Sequence, residues 1–156
     1  MREILFRGKR VSNGEWVIGG IMKTFHPNYD YKNEEEFLSQ KPNCYCICAN
    51  NKDFFVEQSS IGEFTGLTDK NGNKIFEGDI VKNDWCFLNG YSVVKFGQYK
   101  PLDMNDEYQQ GHLGFYLEHI HETDKRTSRK DIMFFANKCE VIGNIHDNPE
   151  LLGGGK

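Results

Sequence analysis

Apolar residues come along this chain in short runs, several alternating with polar positions, separated by Gly, Asn and charged residues. That spacing predicts strands joined by tight turns. Glu3-Ile4-Leu5-Phe6-Arg7 and the segment Trp16 to Met22 read as two strands, with Ser12-Asn13-Gly14 between them supplying a residue tolerant of positive φ. A hairpin therefore opens the fold. Cys44 to Ala49 and Phe54 to Glu57 predict a second hairpin, with Asn50-Asn51-Lys52-Asp53 as its loop. Between the hairpins, Phe25 to Asn43 decays into Pro, Asn, Tyr and charge, and Asn33-Glu34-Glu35-Glu36-Phe37-Leu38 is the one place there for a short helix, capped by Asn33.

The strongest turn signal is Asn71-Gly72, flanked by apolar residues in IGEFTGLTDKNGNKIFEGDIVKN. Phe64-Thr65, Ile80 to Lys82, Tyr91 to Gly97, Gly114 to His121, Ile132 to Phe135 and Glu140 to Ile145 read as further strands. Asp147-Asn148-Pro149-Glu150-Leu151-Leu152 predicts a short terminal helix with Pro149 in its first position. Composition agrees with the pattern: two alanines stand against 16 Gly, 12 Phe, 7 Tyr and 2 Trp, a poor recipe for helices and a good one for strands and turns. The expected fold class is mainly β (a β-rich α+β chain), an SH3-like barrel or roll with an N-terminal hairpin extension and one or two short helices. Its expected division is 1–60 as hairpins and variable excursion packed on the barrel, 61–152 as the barrel region and 153–156 as a flexible tail.

Charge narrows the function. A formal net charge of -4 does not supply the electrostatic footprint of a dedicated nucleic-acid binder. No apolar run has the length of a membrane span, and the start carries no signal-peptide pattern, so a soluble, cytoplasmic protein is expected. Five cysteines make no disulfide framework in that compartment.

Three segments carry a resemblance. REILFRGKRVSNGEWVIGGI, EFTGLTDKNGNKIFEGDIVKND and EVIGNIHDNPELL, in that order, resemble the YopX-like proteins, a family found chiefly in bacteriophages and prophages. The resemblance implies a mainly β fold with an SH3-like barrel or roll, and a bacterial host cell. It brings no catalytic residues to carry over. Residues 23–60 and 84–138, outside the three segments, are where a protein-specific site would lie.

Asp69-Lys70-Asn71-Gly72-Asn73 lacks the glycine and glutamate that a calcium loop needs at positions now held by Lys74 and Ile80, so it reads as a hairpin turn. Asp79, after Gly78, reads first as an acid bonding the backbone of the preceding turn, and second as an interaction residue. Cys44, Cys46 and Cys48 alternate, which puts three thiols on one strand face, but one-residue spacing spreads them by ~6.6 Å per step, too far apart for the usual zinc turn. They read as small apolar side chains and as weak metal candidates only. His119 and His121 share a strand face and make the best start on a metal-dependent hydrolase, yet the sequence offers no third ligand. Lys125, Arg126, Arg129 and Lys130 form the basic cluster, whose functional reading is phosphate contact and whose ordinary reading is a solvated loop. Trp16 and Trp85, near turn signals, and Arg7 are candidates for a partner interface, where aromatic and Arg side chains dominate.

No cofactor is implied and no catalytic constellation is complete. The leading expectation is a non-enzymatic accessory protein of a phage or prophage, binding a phage or host protein or associating with itself. A nucleic-acid-associated module is the alternative, and the hydrolase the least favoured.

Overall fold

Glycine and asparagine place the reversals. In the computed structural model, which describes residues 3–24, 44–85, 88–99, 111–120, 129–131 and 136–153, the chain divides into two units, Glu3–Glu63 and Phe64–Lys156. Both are mainly β and antiparallel.

In the first unit β1 (Phe6–Lys9) and β2 (Trp16–Thr24) pair as the opening hairpin. Gly14 has φ 72°, and Asn13 Oδ1 accepts from the Glu15 amide at 3.1 Å. Then come β3 (Cys44–Ala49) and β4 (Lys52–Val56). Their loop is tighter than expected: Asn50 and Asn51 both take left-handed φ, 51° and 59°, so Lys52 and Asp53 already belong to the strand. Two consecutive residues of positive φ match the right-handed twist of the flanking strands. The ladder runs β4-β3-β2-β1 and continues to the first residues of β5 (Gly62–Thr68), where Gly62 pairs with Arg7 and Glu63 with Phe6.

Directly opposed residues share a face, and register sorts this unit's side chains. Phe6 and Gly19, Gly8 and Val17, Ile21 and Ile47, Ile47 and Phe54, and Tyr45 and Val56 are opposed. That is the inner face. Val17, Ile47 and Val56 are buried there with Phe6, Tyr45, Ala49, Phe54 and Ile61 around them, each fully buried aliphatic contributing about 1.5–3 kcal/mol. The sheet coils until the chain just after β1 meets β4. Arg10 and Val56 form a bridge, the Val11 amide donates to Phe55 O, and the Glu57 amide to Lys9 O, both at 2.9 Å. Ser60 Oγ, in a 3-10 turn over Gln58–Ser60, accepts from the Lys9 amide at 2.8 Å.

In the second unit the rest of β5 pairs irregularly with β6 (Lys74–Phe76). Gly66, at φ 86°, accommodates the bulge, and the buried Thr65 hydroxyl donates to Ile75 O at 2.9 Å. The bend lies where the sequence puts it, with Gly72 at φ 84°. A Cβ there would have open space, so the cost of replacing Gly72 is conformational alone. Gly72→Val is expected to lose about 1–2 kcal/mol, the penalty for a left-handed non-glycine residue, read as a lower thermal midpoint.

A five-stranded sheet follows, ordered β10-β9-β8-β7-β11, from β7 (Asp79–Trp85), β8 (Leu88–Tyr99), β9 (His112–His119), β10 (Arg129–Asp131) and β11 (Cys139–Asn144). Val81, Val94, Leu117 and Cys139 on one face are buried with Ile75 and Ala136. Mainly β is therefore right. The barrel is not found: among the described residues β10 pairs only with β9 and β11 only with β7, leaving the sheet open.

The closing segment holds itself. Asn144 Oδ1 accepts from the amides of His146 and Asp147 at 2.9 and 3.0 Å, and its Nδ2 donates to Asp147 Oδ2 at 2.8 Å. A Cβ at Gly143 would run into the Asn148 side chain. Pro149 opens a 3-10 turn, Pro149–Leu152, rather than an α-helix, and the Asn148 side chain does not cap it because its Oδ1 accepts from the Asn144 amide at 3.3 Å. The helix expected over 33–38 and the strand over 132–135 lie outside the described residues.

Candidate interaction surface

The outer face of the first unit's sheet collects the residues not used by its core. Strand alternation that turns Phe6 and Gly8 inward turns Arg7 and Lys9 outward. Opposite them, Arg7 pairs with Ile18 and Lys9 with Trp16. Farther along β2, Gly20 pairs with Cys48 and Met22 with Cys46, and these pair in turn with Asp53 and Phe55 of β4. Trp16, Ile18 and Met22 thus form an apolar row along one strand. Ile18 and Met22 keep 46% and 43% of their surface exposed. The Arg7 guanidinium sits 4.9 Å and the Lys9 ammonium 5.6 Å from the Trp16 ring centroid, geometry that holds both cations beside the row. Asp53, exposed, stands on the far side.

Arg7 and Trp16, read from sequence as interaction candidates, are brought together here. Lys9, Ile18 and Met22 were missed. Their signal is that Trp16 to Met22 is apolar at positions of both parities, so a strand with one face on the core must show apolar residues on the other.

Asp79 lies elsewhere. It is buried, and its Oδ2 accepts from the Phe76 amide at 2.7 Å, holding the turn that precedes β7. Trp85 ends β7 opposite Leu88, and its side chain lies outside the described residues. Arg129 and Lys130 run in the edge strand β10 against Glu118 and Leu117, so this end of the basic cluster is strand and not loop. Lys125 and Arg126 lie outside the described residues, as does His121. His119 is opposite Ser92 across β8 and β9, and Ser92 Oγ accepts from Asn83 Nδ2 at 2.9 Å within the sheet. That buried polar pair was not foreseen. Among the described residues no three His, Cys, Asp or Glu side chains gather as a metal site.

The alternating cysteines separate in environment. Cys46 is buried and Cys48 exposed; the Cys44 side chain lies outside the described residues. A hydrogen bond with Asp53, then desolvation and the Asp53 charge, push the Cys48 thiol above its ordinary value. Burial foremost, with the charge of Asp69 behind it, pushes Cys139 up to about 11, and its Sγ donates to Ala136 O at 3.3 Å. Neither is a thiolate at neutral pH, so neither is an activated nucleophile. Iodoacetamide at pH 8 is expected to modify Cys48 well before Cys46 or Cys139 in the folded protein, read by peptide mass spectrometry; equal rates for the three would contradict this burial order.

The second unit also shows apolar surface. Phe96 and Leu113 are 50% and 70% exposed, and Phe96 meets Phe115 edge-on at 5.1 Å.

The model of the family described as YopX protein matches residues 5–153. The chain belongs to the YopX family. No curated protein matches it. A solved structure, the crystal structure of protein EF1440 from Enterococcus faecalis, is similar at 20% identity and TM-score 0.44, over 97% of this chain and 99% of that one. The three segments that carry the resemblance fall on the opening hairpin, on the Asp69 turn with Asp79, and on the Asn144 closure, which are architectural places. Trp16 and Ile18, in the outer row of β2, are the part of the first segment that architecture leaves unexplained, and Met22 lies just past that segment's end.

Proposed function

We propose that this YopX-family chain is a non-enzymatic accessory protein of a phage or prophage, working in the bacterial cytoplasm by binding protein. The observation that carries the reading is the row Trp16, Ile18 and Met22 on a strand face, flanked by Arg7 and Lys9. Scattered exposed hydrophobes are ordinary, whereas an apolar row with polar borders is the composition of an interface, where Trp, Met and Arg are enriched.

Nucleic acid is the second reading, favoured only by Arg129 and Lys130 on the edge strand β10 and opposed by the net charge of -4. Affinity capture from prophage-induced cells, with light scattering on the purified chain, tests the proposal. The expected result is a protein partner or a self-associated chain that survives nuclease treatment. A monomer that captures nothing, or one that captures only nucleic acid, would overturn it.

A further inference from the structure

We propose that Asn71 is a site of spontaneous covalent modification, at which the Gly72 nitrogen displaces the Asn71 side-chain amide as ammonia, and that Asp69 sets the rate.

The chain has three Asn-Gly pairs, Asn13-Gly14, Asn71-Gly72 and Asn89-Gly90, and at each the missing Cβ lets the glycine nitrogen approach the preceding side-chain carbonyl carbon. The structure separates them. Asn13 is held at both ends, its Oδ1 accepting from the Glu15 amide at 3.1 Å and its Nδ2 donating to Glu15 Oε2 at 2.7 Å. Asn89 and Gly90 run in β8 opposite Asp84 and Asn83, where ladder pairing holds the backbone. Asn71 has neither restraint. Its side chain is exposed and makes no hydrogen bond among the described residues, and nothing lies within 4 Å of where a Gly72 Cβ would stand. The carboxamide is therefore free to turn toward the Gly72 nitrogen, with water beside it.

The backbone there is guarded instead. The Gly72 amide donates to Asp69 O at 3.0 Å and the Asn71 amide to Asp69 Oδ1 at 2.9 Å. A bonded amide proton is given up to hydroxide only when its bond opens, so reaction waits on the turn. Once the turn opens, the deprotonated Gly72 nitrogen bonds to Asn71 Cγ, the Cγ–Nδ2 bond breaks and ammonia leaves, closing a succinimide ring. Water then opens the ring at Cγ to leave aspartate, or at the main-chain carbonyl to leave isoaspartate with one methylene more in the backbone. Both products add a negative charge two residues from the buried Asp69. Isoaspartate also lengthens the turn whose spacing lets Asp69 reach the Asn73 and Val141 amides, so the mark is a lasting loosening of the tie between this turn and β11.

Incubation of the folded chain at pH 8 tests the site, with fragment mass spectra assigning each modified residue and enzymatic methylation counting isoaspartate. Asn71 is expected to react before Asn13 and Asn89. Asp69→Ala is expected to raise the Asn71 rate several-fold and leave the Asn13 rate unchanged. Asp69→Asn, which keeps Oδ1 for the Asn71 amide, is expected to fall between Asp69→Ala and wild type, and it carries the test if Asp69→Ala does not fold. Leu117→Ala, which empties part of the same unit's core without touching the turn, is expected to accelerate Asn71 less than Asp69→Ala does. Asn13 or Asn89 reacting first, or an Asn71 that does not react, would overturn the site. An Asp69→Asn rate no higher than wild type, or equal acceleration by Leu117→Ala and Asp69→Ala, would overturn the part given to Asp69.

Discussion

Replacing Asp69 with Ala is expected to cost about 3–4 kcal/mol of stability, measured by chemical denaturation. The carboxylate is buried, and backbone donors converge on it. Oδ1 accepts from the amides of Asn71 and Asn73 at 2.9 and 2.8 Å. Oδ2 accepts from Asn73 Nδ2 at 3.1 Å and from the Val141 amide, far along the chain, at 3.0 Å. Hydrogen bonds to a charged group are worth about 1.5–3 kcal/mol each, and the donors left behind would be partly unsatisfied. Asp69→Asn should cost about 2 kcal/mol, since an amide nitrogen in the place of Oδ2 is a donor and can accept from neither Asn73 nor Val141. Burial by itself would raise the carboxyl pKa, but the bonds from Val141, Asn73 and Asn71 outweigh it and hold the pKa below its ordinary 3.8. The stabilisation is thus complete above that ordinary value and drains away as pH falls below it toward the folded-state value. Wild-type stability should fall in that acid range more steeply than that of Asp69→Asn. Parallel acid titrations of the two would refute the assignment.

Gly19→Ala is expected to cost about 3 kcal/mol or more, for a reason of space and not of dihedral angle. An added Cβ would collide with the Cys48 carbonyl oxygen, with its carbon at 2.9 Å and with Ile47 Cγ2 at 3.1 Å. Backbone cannot rotate aside as a side chain can, so relief requires opening the β2 and β3 ladder, the kind of overpacking that costs the upper end of the usual 1–3 kcal/mol or beyond. Gly20→Ala, one residue on and facing out with open space, should change stability by no more than about 0.5 kcal/mol. A cost at Gly19 equal to that at Gly20 would show that the strands are not so close.

These two residues mark what the sequence could disclose. Asn71-Gly72 was legible because its turn chemistry is local: the positive φ it needs is supplied by the glycine beside it. Asp79 was legible for the same reason, its partner being the amide of Phe76. Asp69 was legible only as part of a turn; its bond to Val141 crosses the fold, and no local pattern announces it. Gly19 looked like an ordinary strand glycine because crowding by Cys48 depends on how the sheet coils. Alternation within β3 correctly put Cys46 and Cys48 on one face, but alternation gives side and not depth, so it did not separate the buried thiol from the exposed one. The edges that β10 and β11 leave open among the described residues were invisible for a related reason. Strand content can be read from periodicity, whereas closure depends on which distant strands pair. The site was half visible: Arg7 and Trp16 stood out by type, while Lys9, Ile18 and Met22 needed the register.

The tie between Lys9–Val11 and Phe55–Glu57 also governs what the intervening chain is free to do. Closing that ring fixes two points with β2, β3 and β4 between them, and residues 25–43 join β2 to β3 inside the same ring. Loop-closure entropy grows only with the logarithm of length, so doubling a connecting segment adds about 0.6 kcal/mol. The tie therefore sets a loop-closure cost that changes by less than about 1 kcal/mol when the length of chain between its two ends is altered by up to twofold.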